Sequence, residues 1–204
     1  EYSEALRAQT HEYSNKLHTL AGLIQLGSYR EALDLIGRET SGYQELLGTL
    51  AETVPEPLLS AIILGKYNRA QELRINFQLD PESRMIDIPK KINREKIVTI
   101  LGNLLENALE AAQENTSGKR TVQLSMTDFG NDLIFEVEDS GSGIEDESVD
   151  LSLQHGFTTK SGTGRGIGLS LVHENLKYLG GHLTVARSSL GGMRFTIYIP
   201  KHSN

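Results

Sequence analysis

The sequence predicts an α+β protein in which a two-helix hairpin precedes a domain of helices and a mixed β-sheet. Over residues 1 to about 52, apolar side chains recur at alternating steps of four and three, the spacing of helices packed along a seam. From about residue 75 onward, short segments of alternating polarity, typical of strands, are interspersed with amphipathic segments typical of helices. We therefore predict two domains, residues 1–54 and 55–204.

The composition excludes several classes of protein. The 204 residues carry a net charge of -7 and no basic cluster, so a nucleic-acid-binding surface is not expected. The absence of cysteine excludes disulfides and thiolate metal sites. No apolar run approaches the roughly 20 residues that a membrane-spanning helix needs, and no signal peptide is visible.

The N-terminal hairpin has one apolar seam on each helix. The first seam consists of Leu6, Thr10, Tyr13, Leu17, Leu20, Ile24 and Gly27, and the second of Tyr29, Leu33, Ile36, Thr40, Tyr43, Leu47 and Leu50. Gly27-Ser28 provides the break between the helices. A lone hairpin leaves much of its apolar surface exposed, whereas two copies forming a four-helix bundle would cover it. We therefore expect a homodimer.

The second domain begins after a proline-containing break. Val54-Pro55-Glu56-Pro57 ends the second helix, because proline disfavours helix both at its own position and in the residue before it. The predicted elements that follow are a helix over 58–73, a strand over 75–79, a helix over 93–114, strands over 121–127 and 133–139, a helix from about 166 to 179, and strands over 182–187 and 193–199. Residues 140–166 form a stretch rich in glycine and serine.

Two glycine-rich segments carry the clearest chemical signal. In Asp139-Ser140-Gly141-Ser142-Gly143, a carboxylate that can accept a hydrogen bond from an exocyclic amine is followed by glycines that let the backbone approach a flat ring. The second segment, Gly162-Thr163-Gly164-Arg165-Gly166-Ile167-Gly168-Leu169, leads into a helix, and its backbone amides favour phosphate oxygens. Either segment, taken alone, is equally compatible with a tight structural turn.

A pair of asparagines points to a cation beside these loops. Asn103 and Asn107 are four residues apart and therefore lie on one face of the predicted 93–114 helix. Their amide oxygens suit a hard cation such as Mg²⁺, which shares its sites with phosphates and water. The alternative is a solvated polar face, but Leu101, Leu104 and Leu105 make this helix largely apolar. A P-loop is excluded, because no Gly-Lys-Ser/Thr follows four spacer residues.

In their order along the chain, these motifs resemble the ATP-binding domain of the GHKL superfamily. The ordered set is Asn103 and Asn107, Asp139-Ser-Gly-Ser-Gly143, Gly156-Phe-Thr-Thr-Lys160 and Gly164-Arg-Gly-Ile-Gly-Leu169. Within the superfamily the sequence is similar to histidine kinases, and most similar to the bacterial sensors of citrate and C4-dicarboxylates. The resemblance covers nearly the whole chain and implies a GHKL-type α/β sandwich that binds ATP and Mg²⁺.

The resemblance implies a role for each matching residue. Asp139 would bind the adenine amino group, and Asn107 would coordinate Mg²⁺ with Asn103 beside it. The other implied ATP-binding residues are Gly141 and Gly143 beside the base, Phe157, Thr159 and Lys160 in a mobile lid over about 145–162, and Gly164, Arg165, Gly166, Gly168 and Leu169 by the phosphates. Many histidine kinases have lysine three residues after the second asparagine. Glu110 stands there in this chain, so either Lys160 or Arg165 would supply the positive charge.

The first helix carries a candidate phosphoacceptor. An imidazole with one free nitrogen can attack phosphorus, and next to His11 the carboxylate of Glu12 can hold or remove the ring proton. A histidine on a helix surface usually has no such role, but His11 belongs to an HExxN pattern on a chain with nucleotide motifs. Residues 11–27 also resemble the phosphoacceptor box of the same sensor kinases. That resemblance implies His11 as the nucleophile, Glu12 as its acid/base neighbour and Asn15 as a residue that positions water in a phosphatase reaction.

These residues together predict a sensor histidine kinase core. It would autophosphorylate His11 from ATP and pass the phosphoryl group to an Asp of a response regulator, with a second copy of the chain as its other partner. The resemblance also implies the cytoplasmic portion of a bacterial inner-membrane sensor, joined to the membrane only through segments outside this chain. The alternatives are a GHKL ATPase that hydrolyses ATP and a degenerate module that only docks a partner. Hydrolysing relatives have a glutamate where this chain has Asn103.

Overall fold

The computed structural model describes residues 17–37, 41–116, 118–143 and 167–202, and the chain divides into two compact units, Glu1–Glu45 and Leu46–Asn204. In the first unit, residues 17–25 belong to helix α1 and Tyr29–Gly37 form α2. The predicted break at Gly27-Ser28 is confirmed: Gly27 has φ +74°, and the Ser28 N–H donates to the Leu23 carbonyl at 2.9 Å. A helix commonly ends in this way, with glycine in the left-handed region satisfying its last carbonyls.

The helix α3, Ser41–Thr53, contributes residues to both units. Residues 54–56 are not helical, as the prolines predict, and α4 then spans Pro57–Glu72 with a proline in its first turn. The elements that follow are β1 (Asn76–Leu79), α5 (Arg94–Glu114), β2 (Thr121–Thr127), β3 (Asp132–Asp139), α6 (Ile167–Leu179), β4 (His182–Arg187) and β5 (Met193–Pro200). The helices and strands predicted for the second domain are thus confirmed, with small differences at their ends.

The five strands form one mixed sheet in the order β1-β2-β3-β5-β4. The pair β1–β2 is parallel and the other neighbours are antiparallel. A parallel pair needs a long crossover connection, and the chain between β1 and β2 supplies one that contains α5. The predicted α+β class with a mixed sheet is therefore confirmed.

The core lies between the helices of the second unit and one face of this sheet. From α5, the side chains of Ile97, Ile100, Leu101, Leu104, Leu105 and Leu109 are fully buried, and from the sheet those of Val122, Leu124, Leu133, Phe135, Val137, Ile197 and Ile199 are fully buried. Burying each such side chain contributes about 1.5–3 kcal/mol, which makes α5 the best-anchored helix of the unit. The alternation of buried and half-exposed residues along β2 and β3 leaves the opposite sheet face polar.

The start of α5 is fixed by Arg94. Its guanidinium donates to the carbonyls of Pro89 and Ile92 at 2.6 Å and of Ile88 at 2.8 Å, and lies 3.4 Å from the Glu56 carboxylate. Asn93 caps the helix by accepting a hydrogen bond from the Lys96 N–H at 3.2 Å. The position of the helix that carries Asn103 and Asn107 is therefore set by loop contacts as well as by core packing.

A polar network around Asp128 closes the end of the sheet that lies away from Asp139. The Asp128 carboxylate is buried and accepts hydrogen bonds from the backbone N–H groups of Ile86 and Asp87 at 2.8 and 2.6 Å. Burial by itself would raise the pKa of Asp128. The two backbone donors, together with the charges of Arg84 and Lys201, outweigh burial and lower that pKa below its usual value.

Candidate active site

The amide face of α5 meets the beginning of α6. A β-carbon placed on Gly168 would lie 3.1 Å from Asn103 Oδ1 and 3.7 Å from Asn107 Oδ1. Asn103 is oriented by its own helix, because its Nδ2 donates to the Thr99 carbonyl at 2.7 Å. Both predicted amide oxygens therefore face the end of the second glycine-rich segment, where α6 begins. Leu169, the next predicted site residue, is half-buried there.

The carboxylate of Asp139 is buried at the end of β3. Only 2% of the residue is exposed, and its Oδ1 accepts hydrogen bonds from the backbone N–H of Gly141 at 2.8 Å and of Met193 at 3.3 Å. Two backbone donors on one carboxylate oxygen fix the orientation of the group. A fixed carboxylate in a buried site can recognise one hydrogen-bonding pattern of a ligand and reject others.

The loop after Asp139 is clamped to the C-terminal end of α5. Asn115 Nδ2 donates to the Ser140 carbonyl at 2.6 Å, while Ser140 Oγ accepts from the Thr121 N–H at 2.8 Å. A β-carbon on Gly141 would lie 2.9 Å from the Ala111 Cβ and 3.0 Å from the Ala111 carbonyl oxygen, so only glycine lets the loop come this close to the helix. The helix α5 thus contacts the start of α6 near its middle and the Asp139 loop near its end.

The last described glycine of the first motif, Gly143, has φ +68°, a conformation that side chains rarely adopt. A β-carbon there would lie 3.4 Å from the Gly191 carbonyl oxygen. Gly143 therefore lies beside the turn between β4 and β5.

This turn and Asn115 were not predicted as parts of the site. The Gly191-Gly192 doublet before a strand was the available sequence signal for the turn, and nothing in the sequence marks Asn115 as a clamp.

Several predicted site residues lie outside the described residues. These are His11, Glu12 and Asn15 of the phosphoacceptor pattern, and Phe157, Thr159, Lys160, Gly164, Arg165 and Gly166 of the lid and phosphate loop. The structure places Gly168 of α6 beside Asn103 and Asn107 of α5. It places Gly141 beside Asp139 and Gly143 beside the turn between β4 and β5.

Two glutamates on α5 lie near the asparagines in sequence. Glu106 forms an ion pair with Lys66 of α4, so it belongs to the contact between α4 and α5. Glu110 is exposed. Neither arrangement resembles a general base held against a nucleotide, since a base must reach the proton that it removes.

A cavity of about 470 Å³ lies on the other, polar face of the sheet. Its lining includes Ser125, Thr127, Ile134 and Glu136, whose side chains alternate with those of the core. It contains none of the sequence-predicted site residues, so it is separate from the candidate active site.

Among the described residues, no group of three or more His, Asp or Glu could hold a metal ion, and no helix is long and apolar enough to cross a membrane.

The sequence matches two known families. Residues 92–203 match the histidine kinase-, DNA gyrase B- and HSP90-like ATPases, and residues 1–46 match the α-helical domain of SpoOB-type sensor kinases. Because the first match covers more than half of the chain, the chain belongs to the family of histidine kinase-, DNA gyrase B- and HSP90-like ATPases. Its second unit accordingly contains an ATP-binding domain of that family.

Curated relatives narrow the comparison to sensor kinases. The sensor protein CitS of Halalkalibacterium halodurans is 44% identical over 201 residues, which are 98% of this chain and 37% of that protein. The sensor histidine kinase DcuS of Escherichia coli K12 is 36% identical over 199 residues, and CitA of Klebsiella pneumoniae 32% over 200 residues. The chain spans a little over a third of the length of these relatives. The predicted resemblance to the kinase cores of citrate and C4-dicarboxylate sensors is confirmed.

Solved structures agree on the fold. The catalytic domain of histidine kinase ThkA in a nucleotide-free form is 24% identical with a TM-score of 0.58, over 72% of this chain and 93% of that chain. The mycobacterial sensor histidine kinase MprB is 19% identical with a TM-score of 0.51, over 70% and 95%. The predicted GHKL-type architecture of the second domain is therefore confirmed.

Proposed function

We propose that this chain is the core of an ATP-dependent protein-histidine kinase, in which His11 takes the γ-phosphoryl group of ATP. The observation that carries the proposal is the convergence on α5. The oxygens of Asn103 and Asn107 meet the start of α6, and one turn further along the same helix Ala111 contacts the Asp139 loop. At 1.5 Å per residue, Asn107 and Ala111 are about 6 Å apart along the helix axis, so one nucleotide could contact both.

The base would lie at the Asp139 end of this surface. The carboxylate of Asp139 can accept a hydrogen bond from the exocyclic amine of adenine, and the absence of side chains at Gly141 and Gly143 leaves backbone free to approach the ring. The two backbone donors on Oδ1 support this role, because they hold the carboxylate in one orientation before a ligand arrives.

The phosphates would lie at the asparagine end, with Mg²⁺. The amide oxygens of Asn103 and Asn107 are hard, neutral donors that face the same segment, which fits a cation that takes its remaining ligands from phosphate and water. When bound, Mg²⁺ would neutralise charge on the phosphate oxygens. Asn107 would be its protein ligand. At the position of Glu110, many histidine kinases have a lysine. In this chain, Lys160 or Arg165, which lie outside the described residues, would supply that positive charge instead.

In the phosphoryl transfer, a ring nitrogen of His11 would attack the γ-phosphorus in line with the bond to the β-phosphate. The new N–P bond forms as that P–O bond breaks, and ADP leaves with the electron pair. Glu12 would hold the proton on the other ring nitrogen. The phosphoryl group would then pass to an Asp carboxylate of a response regulator as the N–P bond breaks. When the kinase acts as a phosphatase, Asn15 would position the water that hydrolyses the resulting aspartyl phosphate.

ATP hydrolysis as the main activity is less compatible with the site. A hydrolysing relative would need a carboxylate at the position of Asn103, and an amide is a poor base. The nearest carboxylate on the helix, Glu106, is paired with Lys66.

The partners and surroundings follow from the same proposal. The hairpin would form a four-helix bundle with a second copy, and a receiver domain would be the phosphoryl acceptor. The core would be the cytoplasmic part of an inner-membrane sensor. Citrate or a C4-dicarboxylate is the proposed class of stimulus, because the relatives CitS and CitA are named as sensors and one relative is named a probable C4-dicarboxylate sensor kinase.

The proposal is tested by following the terminal phosphate of ATP. The protein is incubated with Mg²⁺ and γ-labelled ATP, beside His11→Gln and the matched control His18→Gln, whose histidine is exposed on α1. We expect an alkali-stable, acid-labile label on the wild type and on His18→Gln, and none on His11→Gln. Label that persists on His11→Gln contradicts the assignment. Steady release of free phosphate without label would favour the hydrolytic alternative.

A further inference from the structure

The turn between β4 and β5 packs directly against the carboxylate of Asp139. The Gly192 N–H donates to the Asp139 carbonyl at 3.1 Å, and the next N–H, that of Met193, donates to Asp139 Oδ1 at 3.3 Å. A β-carbon built on Gly192 would lie 1.9 Å from Asp139 Oδ1, 2.6 Å from the Gly141 nitrogen and 2.7 Å from the Asp139 carbonyl oxygen. Any side chain at position 192 would therefore occupy the place of the carboxylate.

Two different glycines, Gly141 and Gly192, approach Asp139 Oδ1 closely. Gly141 approaches from the loop after β3, where its own β-carbon would lie 2.9 Å from Oδ1. Gly192 approaches from the start of β5. Because real β-carbon contacts below 3.0 Å are essentially never seen, a methyl group at Gly192 would displace Oδ1 by about 1 Å.

The turn that carries Gly192 is itself anchored. The Ser188 N–H donates to the Gly192 carbonyl at 2.9 Å, and Ser188 Oγ donates to Glu138 Oε2 at 2.6 Å. The same Oγ accepts from the Leu190 N–H at 2.9 Å. Ser188 and Glu138 are both buried, so these bonds hold the turn against the end of β3.

We propose that Gly192 is a positioning residue that sets the preference of the site for adenine by fixing the orientation of the Asp139 carboxylate. The inference rests on the proposed nucleotide function and deepens it. A carboxylate held in place accepts a hydrogen bond from a 6-amino group and repels a 6-oxo group, whereas a carboxylate displaced by about 1 Å loses that discrimination. Gly192 itself need not touch the nucleotide.

The test compares the affinities for ADP and inosine diphosphate, which differ at the 6-position of the base. Calorimetric titrations in Mg²⁺ are made on the wild type, on Gly192→Ala and on Gly130→Ala. Gly130 is a matched control, because it has φ +81° in the β2–β3 turn with nothing within 4 Å of its β-carbon, so alanine there strains a turn far from Asp139. Circular dichroism and thermal unfolding establish that each variant is folded.

We expect the wild type and Gly130→Ala to bind ADP at least about tenfold more tightly than inosine diphosphate, as a charge-assisted hydrogen bond predicts. For Gly192→Ala we expect that ratio to fall to about one, mainly through weaker ADP binding. A folded Gly192→Ala that keeps the ratio, or that weakens both ligands equally, overturns the inference. A wild type that binds neither nucleotide would instead contradict the proposed function.

If Gly192→Ala does not fold, the same comparison of ADP and inosine diphosphate on Ser188→Ala tests the inference. Removing the hydroxyl breaks the bonds to Glu138 and to the Leu190 N–H, which lets the turn withdraw from Asp139 without adding any atom. We expect the ADP preference of Ser188→Ala to fall at least about threefold, in proportion to a partly lost hydrogen bond. An unchanged preference would overturn the inference.

Discussion

The Mg²⁺ site proposed at Asn103 and Asn107 would use neutral amides, whereas many metal sites use carboxylates. An amide oxygen can coordinate a hard cation without adding a negative charge next to phosphates, and the NH₂ group of the same amide can fix the side chain by a hydrogen bond. In Asn103 the side chain is fixed in this way, because its Nδ2 donates a hydrogen bond to the Thr99 carbonyl one turn earlier. The oxygen is thereby left pointing towards the start of α6.

Replacing Asn107 by alanine should remove the Mg²⁺-dependent part of nucleotide affinity. Interactions with a charged partner are worth about 1.5–3 kcal/mol, so we expect ADP affinity in Mg²⁺ to fall about tenfold to a hundredfold. In excess chelator the variant and the wild type should bind ADP alike. Calorimetric titration with and without Mg²⁺ measures both quantities.

The matched control for this prediction is Gln113→Ala, an exposed amide on the same helix. It should leave both affinities unchanged. If Mg²⁺ raises the ADP affinity of Asn107→Ala as much as that of the wild type, Asn107 is not the Mg²⁺ ligand. The role of α5 would then be structural, through its buried core residues.

The helices and strands were predictable because their signals are local. The helix α5 begins one residue after Asn93, a residue type that caps helices, and its buried residues recur with helical spacing. The strands β2 and β3 show alternation on both sides of Gly130, which has positive φ in the turn. Local chemistry of this kind sets where an element starts and ends.

The contacts that complete the site were not predictable, because they join residues far apart in the sequence. The backbone N–H of Met193 bonds the Asp139 side chain across 54 positions, and Asn115 reaches Ser140 across 25. The first contact follows from the strand order, in which β5 lies between β3 and β4, and the second from the packing of α5 against β3. The sequence predicted a mixed sheet but contains no local signal for that order.

The turn between β2 and β3 depends on one buried carboxylate for its stability. Replacing Asp128 by asparagine should destabilise the fold by about 1–3 kcal/mol at pH 7, because asparagine keeps the shape but loses the charge that Arg84 and the backbone donors of Ile86 and Asp87 stabilise. The pKa of Asp128 is lowered in the folded state, so the stabilisation is complete above the unfolded pKa of about 3.9 and is lost as pH falls through the folded value.

Urea unfolding of the wild type and Asp128→Asn between pH 7 and pH 3 measures this difference. The gap in unfolding free energy should be constant down to about pH 5 and shrink below about pH 4. Asp132→Asn, which removes the same charge from the half-exposed start of β3, serves as the control and should show a much smaller gap at pH 7. A gap for Asp128→Asn that grows as pH falls contradicts the role given to this carboxylate.

At the scale of the whole molecule, the two units differ in how much apolar surface they leave in water. In the first unit the seam residues Leu17, Ile24, Tyr29 and Leu33 are between 41% and 64% exposed. The second unit buries its helices against a sheet and has a continuous core. A cluster of exposed apolar side chains on a short helical hairpin marks an interaction surface. The seam spacing of Leu17, Ile24, Tyr29 and Leu33 supports a second hairpin as the partner.

Replacing Ile24 by glutamate should therefore break the proposed dimer. Ile24 is a seam residue and is 51% exposed in the single chain, so its glutamate would be charged and largely hydrated in the monomer but buried in a four-helix bundle. Each buried charge would cost about 3 kcal/mol, and two copies about 6 kcal/mol, which weakens association by more than about a thousandfold. Sedimentation equilibrium should then give the 22.5 kDa mass of one chain instead of twice that mass.

The matched control is Leu26→Glu, because Leu26 is 81% exposed but lies outside the seam. This variant should remain dimeric, since its charge would stay in water in both states. Circular dichroism should show the same helix content for both variants. A dimer that survives Ile24→Glu, or a wild type that sediments as a monomer, would mean that the hairpins do not associate through this seam.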